Sequence, residues 1–274
     1  MRLDTLIMIQ SMIFSISAVL ALAVPALYFL KDPKERTSTF WAFLAVALAG
    51  AVSWTMAQLS GQWRTSLSLA IWVTISASII SFIITSLIHR LAWRLTPLLM
   101  PYLALMGLWA MIWHAFPGHT IHEEGAISHW IVFHITVSVF TYALATIAAV
   151  AALSAFLVER ALKQKRPTRL TRMLPSVIDS EFLLTRLLFT SEAILGLDIL
   201  SGMGVSMMEN GQLLTADHKT LFSIAAFIAI AGLLFAQHQS GIRGKKATRI
   251  VLVAYLLLSL GFLGVKFVTD VMMA

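Results

Sequence analysis

The chain contains no cysteine. That excludes disulfides, iron–sulfur clusters, thioether-attached haem and thiol relays on this polypeptide. Charge is scarce as well. Asp, Glu, Lys and Arg make up 12% of the 274 residues, while 59% are hydrophobic; a soluble domain usually carries roughly twice that charged share. No P-loop, no nucleotide-binding glycine fingerprint and no Ser-His-Asp arrangement is present. No connection between the apolar runs is long enough for a soluble domain. Function must therefore be read from the few polar residues that a membrane tolerates.

What is present is a series of apolar runs. A bilayer core about 30 Å thick needs about 20 apolar residues per helix. Windows near 5–30, 38–59, 67–87, 95–114, 128–157, 183–206, 220–236 and 248–269 meet that length, the seventh being short. Backbone groups in lipid must be bonded internally, so these runs predict helices. The expectation is an all-α polytopic membrane protein with eight transmembrane helices in a single domain, 1–274. Pro97 and Pro101 should bend or delay the fourth helix.

A net charge of +7 is a topology signal here, not a nucleic-acid signal. Most Lys and Arg fall in or beside alternate connections: Lys31, Lys34 and Arg36; Arg90 and Arg94; Arg160 through Arg186; Arg243 through Arg249. The positive-inside rule puts these in the cytoplasm and both termini outside, in a bacterial inner membrane. Ala21-Leu22-Ala23 resembles a signal-peptide cleavage site. The apolar run is too long and Met1-Arg2-Leu3-Asp4 too nearly neutral for one, so the segment reads as a retained helix. The basic connection 158–181 is the longest on the cytoplasmic side and a candidate contact for anionic lipid or a cytoplasmic protein partner. The fifth helix should run beyond the bilayer and stop before Pro167, with a short amphipathic stretch following.

Trp54, Trp63, Trp109, Trp113 and Trp130 sit near outer boundaries, as an aromatic belt or as an apolar wall for a flat ligand. His114, His119, His122, His129, His134 and His218 lie in the outer half; His89 and His238 are cytoplasmic. His134 falls about one turn inside the fifth helix, after Trp130. His218 opens the seventh, after Asp217. Imidazoles at similar depth on two helices suit axial ligation of a haem iron, with Asp217 able to orient one of them. His119, His122, Glu123 and Glu124 form a weak divalent-ion motif in an outer loop.

Arg186, Glu192 and Asp198 recur every six residues on the sixth helix, and Glu192 falls near mid-membrane. Ionisable groups there cost several kcal/mol unless paired or hydrated. The expected partners are Gln58, Thr74 and Ser78; the alternative is a proton or cation path. Lys266 is placed to pair with Asp198 or Asp270, or to join Lys219 or Arg64 in receiving a ligand's carboxylate. Gly202 and Gly204 make a small-residue patch suited to close helix contact or a ligand edge.

Trp130-Ile131-Val132-Phe133-His134-Ile135 with Tyr142-Ala143, Asp217-His218-Lys219-Thr220, and Gly264-Val265-Lys266-Phe267-Val268 resemble segments of the cytochrome c assembly protein family. The resemblance covers roughly 128–270 and is closest to the short HemX- and YpjD-like branch. It implies haem b held near the outer face, with His134 and His218 as ligands, Lys266 and Lys219 as propionate contacts, and Trp130 as wall. The haem lyases of this family carry a tryptophan-rich external motif where His218 stands; the loop here, 207–217, has no tryptophan. The resemblance therefore implies an accessory or regulatory haem-handling protein, not an enzyme. Members of the short branch are also linked to haem-synthesis control and, by name, to divalent-cation resistance.

Overall fold

The computed structural model describes residues 2–28, 35–59, 64–115, 119–120, 129–213 and 217–272. Helices account for nearly all of them. α1 (Arg2–Tyr28), α2 (Ser38–Leu59), α3 (Leu67–Ile88) and α4 (Thr96–Ile112) form an N-terminal group. α5 (His129–Lys163), the short α6 (Arg169–Met173), α7 (Val177–Asn210), α8 (His218–Ser240) and α9 (Lys245–Ser259) form a C-terminal one. α9 continues without a break through a π turn at Leu260–Gly264, one α turn at Val265–Phe267 and a second π turn at Val268–Met272. A two-residue antiparallel pair joins Arg64–Thr65 to His119–Thr120.

Six helices among the described residues are long and apolar enough to cross a membrane: Ser38–Leu59, Leu67–Ile88, Ala92–Ile112, His129–Lys163, His218–Ser240 and Lys245–Met272. The chain is thus an all-helical, multi-pass membrane protein. α1 contributes a shorter apolar stretch, Ile13–Pro25. α7 is a 34-residue rod carrying Arg186, Glu192 and Asp198.

Local chemistry explains where the rods begin and end. Ser66, Ser176 and Asp217 cap α3, α7 and α8 by accepting backbone N–H groups of Leu69, Asp179 and Thr220. Pro97 lies in the first turn of α4, where its missing N–H removes no helical bond. It therefore starts that helix, just after a 3-10 turn at Ala92–Leu95. Gly211 and Gly241 end α7 and α8 in the left-handed region, with φ 67° and 62°. The connection expected over 158–181 is mostly helical. α5 runs to Lys163, α6 fills Arg169–Met173 behind a Thr168–Thr171 capping box, and α7 begins at Val177. A hydropathy window ends where the bilayer ends, but a helix ends at its cap, so 183–206 undershot α7 at both ends.

α1 packs on α2 and α4, α2 on α3, and α3 on α4. α5 packs along α7 and α9, α7 on α8, and α8 on α9. α3 and α5 join the two groups. The basic connections gather at one end. Arg36 donates to the Ser86 carbonyl at 2.6 Å. Arg94 donates to the carbonyls of Met173 and Arg172 at 2.9 and 3.0 Å, docking α6 against the start of α4. Cations at exposed helix-end carbonyls are favoured by the helix dipole. The Gly244 amide donates to Glu181 at 3.1 Å, tying the α8–α9 turn to the same end.

A histidine-lined cavity between four helices

At the opposite end a cavity of about 510 Å³ opens between α5, α7, α8 and the continuation of α9. That size falls within the range of small-molecule sites, about 300–1,000 Å³. α5 supplies His134, Ser138 and Tyr142; α7 supplies Asp198, Gly202, Met203 and Ser206. Asp217, Lys219 and Thr220 come from the start of α8, and Gly261, Phe262, Lys266 and Thr269 from the α9 continuation. Gly261 and Phe262 lie in the first π turn, Thr269 in the second, and Lys266 between them. Such turns widen a helix locally and recur at functional sites.

Glycine makes the α5–α7 approach close. A Cβ on Gly202 would lie 3.1 Å from His134 Cε1, and one on Gly204 only 2.6 Å from Trp130 Nε1. The small-residue patch therefore does what its composition implies. Trp130 donates its indole N–H to the Ser201 carbonyl at 3.0 Å. Its ring lines a second, open and mostly apolar cleft of about 570 Å³ with Leu200, Met203, Met207, Met208 and Leu213. Met203 and Leu213 wall both spaces.

His134 is the best-anchored polar group in the cavity. Its Nδ1 lies 2.9 Å from Ser201 Oγ and 3.2 Å from Asp198 Oδ1. Ser138, one turn after His134, donates to the same Asp198 oxygen. Asp198 is 9% exposed, so its carboxyl finds its partners in these groups rather than in solvent. Lys266 pairs with Asp270 at 3.2 Å across one turn, as one of its two expected pairings required. Lys219 is exposed at the rim. Asp217 lines the cavity while its carboxylate caps α8, accepting the Thr220 N–H at 2.8 Å. Burial pushes the Asp217 carboxyl up; the Thr220 hydrogen bonds and the neighbouring Lys219 and His218 charges outweigh it and hold the carboxyl below its ordinary value.

Beneath the cavity lies a file of hydroxyls. Ser259 donates its single hydroxyl hydrogen to the Tyr255 carbonyl at 2.8 Å. It must then accept from Tyr142, 3.0 Å away. Tyr255 donates to Tyr142 at 3.1 Å, so it accepts from Tyr102. The file runs in one direction from Tyr102 on α4 through Tyr255 on α9 to Tyr142 on α5 and back to Ser259 on α9.

His134, Lys219, Lys266, Asp217 and Asp198 thus share one cavity. His218, in the first turn of α8, is exposed and does not line it, although both its neighbours do. Arg186 is exposed with its guanidinium 5.4 Å over the Phe182 ring, away from the cavity. The expectation that Glu192 and Asp198 bond to Gln58, Thr74 and Ser78 is corrected. α7 packs on α5 and α8, not on α2 or α3, so Asp198 meets Ser138 and His134. Thr74 bonds back to the Ala70 carbonyl. Both Glu192 oxygens are buried without a partner among the described residues, as is Ser78 Oγ. His122, Glu123 and Glu124 lie outside the described residues, as do Lys31, Lys34, Trp63 and the side chains of His119 and Arg64. Ser138 and Ser201 were missed in the sequence. The i,i+4 spacing of His134 and Ser138 was the available signal, but serine in an apolar helix usually bonds its own backbone.

An all-α membrane domain with one histidine, two lysines and two carboxylates around a cavity defines a class of integral membrane proteins. Within that class the chain belongs to the cytochrome c assembly protein family, whose pattern it matches over residues 33–273. It is also 48% identical over 271 residues to an Azospirillum brasilense protein named as an uncharacterized 28.8 kDa protein in a nifR3-like 5′ region, covering 97% of this chain and 100% of that one. No solved structure matches the chain. Membership of this family supports a haem-handling role.

Proposed function

We propose that this protein binds haem b in the α5–α7–α8–α9 cavity and serves as an accessory or regulatory haem-handling protein of the short HemX- and YpjD-like branch. The carrying observation is the cavity's donor set. One imidazole is fixed from behind by a carboxylate, and two lysines stand at the rim and wall. A porphyrin iron takes an imidazole nitrogen, and its two propionates take ammonium groups. His134 is the ligand from within the cavity. His218, exposed between the two rim residues Asp217 and Lys219, becomes the second by turning inward over the rim when haem is bound. Lys266 and Lys219 receive the propionates. Tyr142, Phe262 and Met203 supply apolar wall, and Trp130 seals the side nearest the second cleft. When bound, haem supplies a redox-active iron; the chain's own residues hold, orient and shield it. The cavity has no tryptophan platform in the 207–217 loop, which supports binding rather than ligation to an apocytochrome, and hence a non-enzymatic role.

The topology belongs to the same reading. α7 lies along α5, so it crosses with it; with α1 this makes eight crossings. The Arg- and Lys-rich end then faces the cytoplasm, with both termini and the cavity outside, in a bacterial inner membrane. The stretch 158–181 presents its cations there to anionic lipid or a cytoplasmic partner. The divalent-cation alternative would rest on Glu192 and Asp198, and Asp198 is bonded to Ser138 and His134.

Absorption spectra of the purified protein after haem addition test the proposal. Wild type gains a Soret band. His134→Ala lowers haem affinity at least tenfold, and His218→Ala changes the coordination number seen in the spectrum. A wild-type protein with no Soret band after reconstitution overturns it.

A further inference from the structure

The hydrogen bonds behind His134 allow its protons to be counted. Ser201 has one hydroxyl hydrogen, and it goes to the Asp198 carbonyl at 2.9 Å in its own helix. Toward His134 Nδ1, 2.9 Å away, Ser201 Oγ can therefore only accept. Asp198 Oδ1, 3.2 Å from the same nitrogen, is a carboxylate oxygen already accepting from Ser138. Nδ1 thus faces two acceptors and no free donor. The ring is pressed against α7 at Gly202, where a Cβ would come within 3.1 Å of Cε1, so it has little room to flip.

We propose that Asp198, itself held by Ser138, is a positioning residue that locks His134 as the Nδ1–H tautomer and presents Nε2 as its only lone pair to the cavity. A carboxylate on the rear N–H of a ligating imidazole fixes the ring's orientation and raises its basicity. Asp198 is thereby assigned a role in donor strength that neither its place in the membrane nor its spacing from Glu192 suggests. The assignment of the tautomer is independent of what Nε2 binds. Its consequence for iron rests on the haem reading above.

The test has two arms. In the first, the protein without haem is labelled with ¹⁵N-histidine and studied by NMR in lipid nanodiscs, with the His134 signals assigned from a His134→Gln variant. Wild type is expected to show a protonated Nδ1 and an unprotonated Nε2. Asp198→Leu and Asp198→Asn are expected to show mixed tautomers, and Asp198→Glu to restore the wild-type pattern. A wild-type Nε2–H signal, or an unchanged one in Asp198→Leu, overturns the proposal. In the second arm, ferric haem is titrated. Asp198→Asn is expected to bind about 10–100-fold more weakly than wild type and, in a His218→Ala background that leaves the ferrous iron five-coordinate, to show a lowered iron–imidazole stretching frequency. Equal affinity and frequency overturn the consequence for iron. If wild type shows the expected tautomer but binds no haem, the haem reading fails and the assignment of Asp198 stands. If it binds haem through a His134 in the other tautomer, the reverse holds.

Discussion

The two helix groups differ in how many of their buried polar side chains reach across to a neighbouring helix. In the α1–α4 group, hydroxyls turn back on their own helices, Thr55 to Ala51, Thr74 to Ala70, Ser76 to Trp72 and Thr85 to Ser81, with one crossing between Thr55 and Ser76 at 3.3 Å. Trp72, Phe40, Phe82 and Leu22 fill the space between rods to near-zero exposure. In the α5–α9 group, hydroxyls and carboxylates reach across to other helices. Ser138 meets Asp198, Ser154 meets Ser180, Tyr142 meets Ser259, and Tyr255 meets Tyr102. Lipid tails are as apolar as leucine, so helices in a bilayer associate through close packing and interhelical hydrogen bonds. The first group relies mostly on packing. The second relies on hydrogen bonds, which can hold helices apart around a space. On the proposed reading, that difference lets one half anchor the molecule and the other bind haem.

Breaking the dry half has the largest expected effect. Trp72→Ala empties a fully buried site between α3 and α4 and costs about 3–5 kcal/mol, read as a lower midpoint in thermal unfolding in detergent. The haem spectrum of the folded fraction stays unchanged. Next comes glycine. Gly204→Ala drives a Cβ to 2.6 Å from Trp130, and Gly50→Ala one to 2.8 Å from Ala21 Cβ. Each costs about 1–3 kcal/mol by overpacking. Only Gly204→Ala changes haem binding, because only it moves the helix bearing His134. Equal spectra for the two variants would erase the distinction between the halves.

Tyr255→Phe removes the centre of the hydroxyl file and leaves Tyr102 without its acceptor, a loss of about 1–3 kcal/mol measured by the same melts. Asp217→Ala removes the α8 cap at a cost of about 1 kcal/mol at neutral pH. Because the Asp217 carboxyl is held below its ordinary value in the fold, its contribution is complete above the unfolded value of about 3.9. The contribution is lost as pH falls through the lower folded value, so wild type and variant converge in stability in acid. The smallest effect is Gly232→Ala on α8, where an added Cβ meets nothing within 4 Å. It is neutral or slightly stabilising, by up to about 1 kcal/mol, and serves as the control for Gly204→Ala.

Much of this architecture was legible in the chain. The second helix begins and ends where its apolar run does, Ser38–Leu59, and the third within a residue. The fifth stops before Pro167 and is followed by a short helix. His134, Asp217, Lys219 and Lys266 were singled out and share one cavity. The pairing of Asp198 was not legible. Residues six apart on α7 point about 120° apart, and nothing in their spacing says which neighbour each will face. Nor could the exposure of His218 be read, since a residue opening a helix can turn inward or outward with the packing of that helix.

What the sequence determined alone was what accumulates residue by residue: the solvent, the helical character and approximate place of the rods, and the clustering of basic residues between alternate runs. Transfer free energies and local hydrogen bonds depend only on a residue and its near neighbours along the chain, so they can be summed from a string. The meeting of His134 with Asp198 and Ser138 depends on how far α5 and α7 are rotated and how closely Gly202 and Gly204 let them approach. Only the tertiary structure decided that.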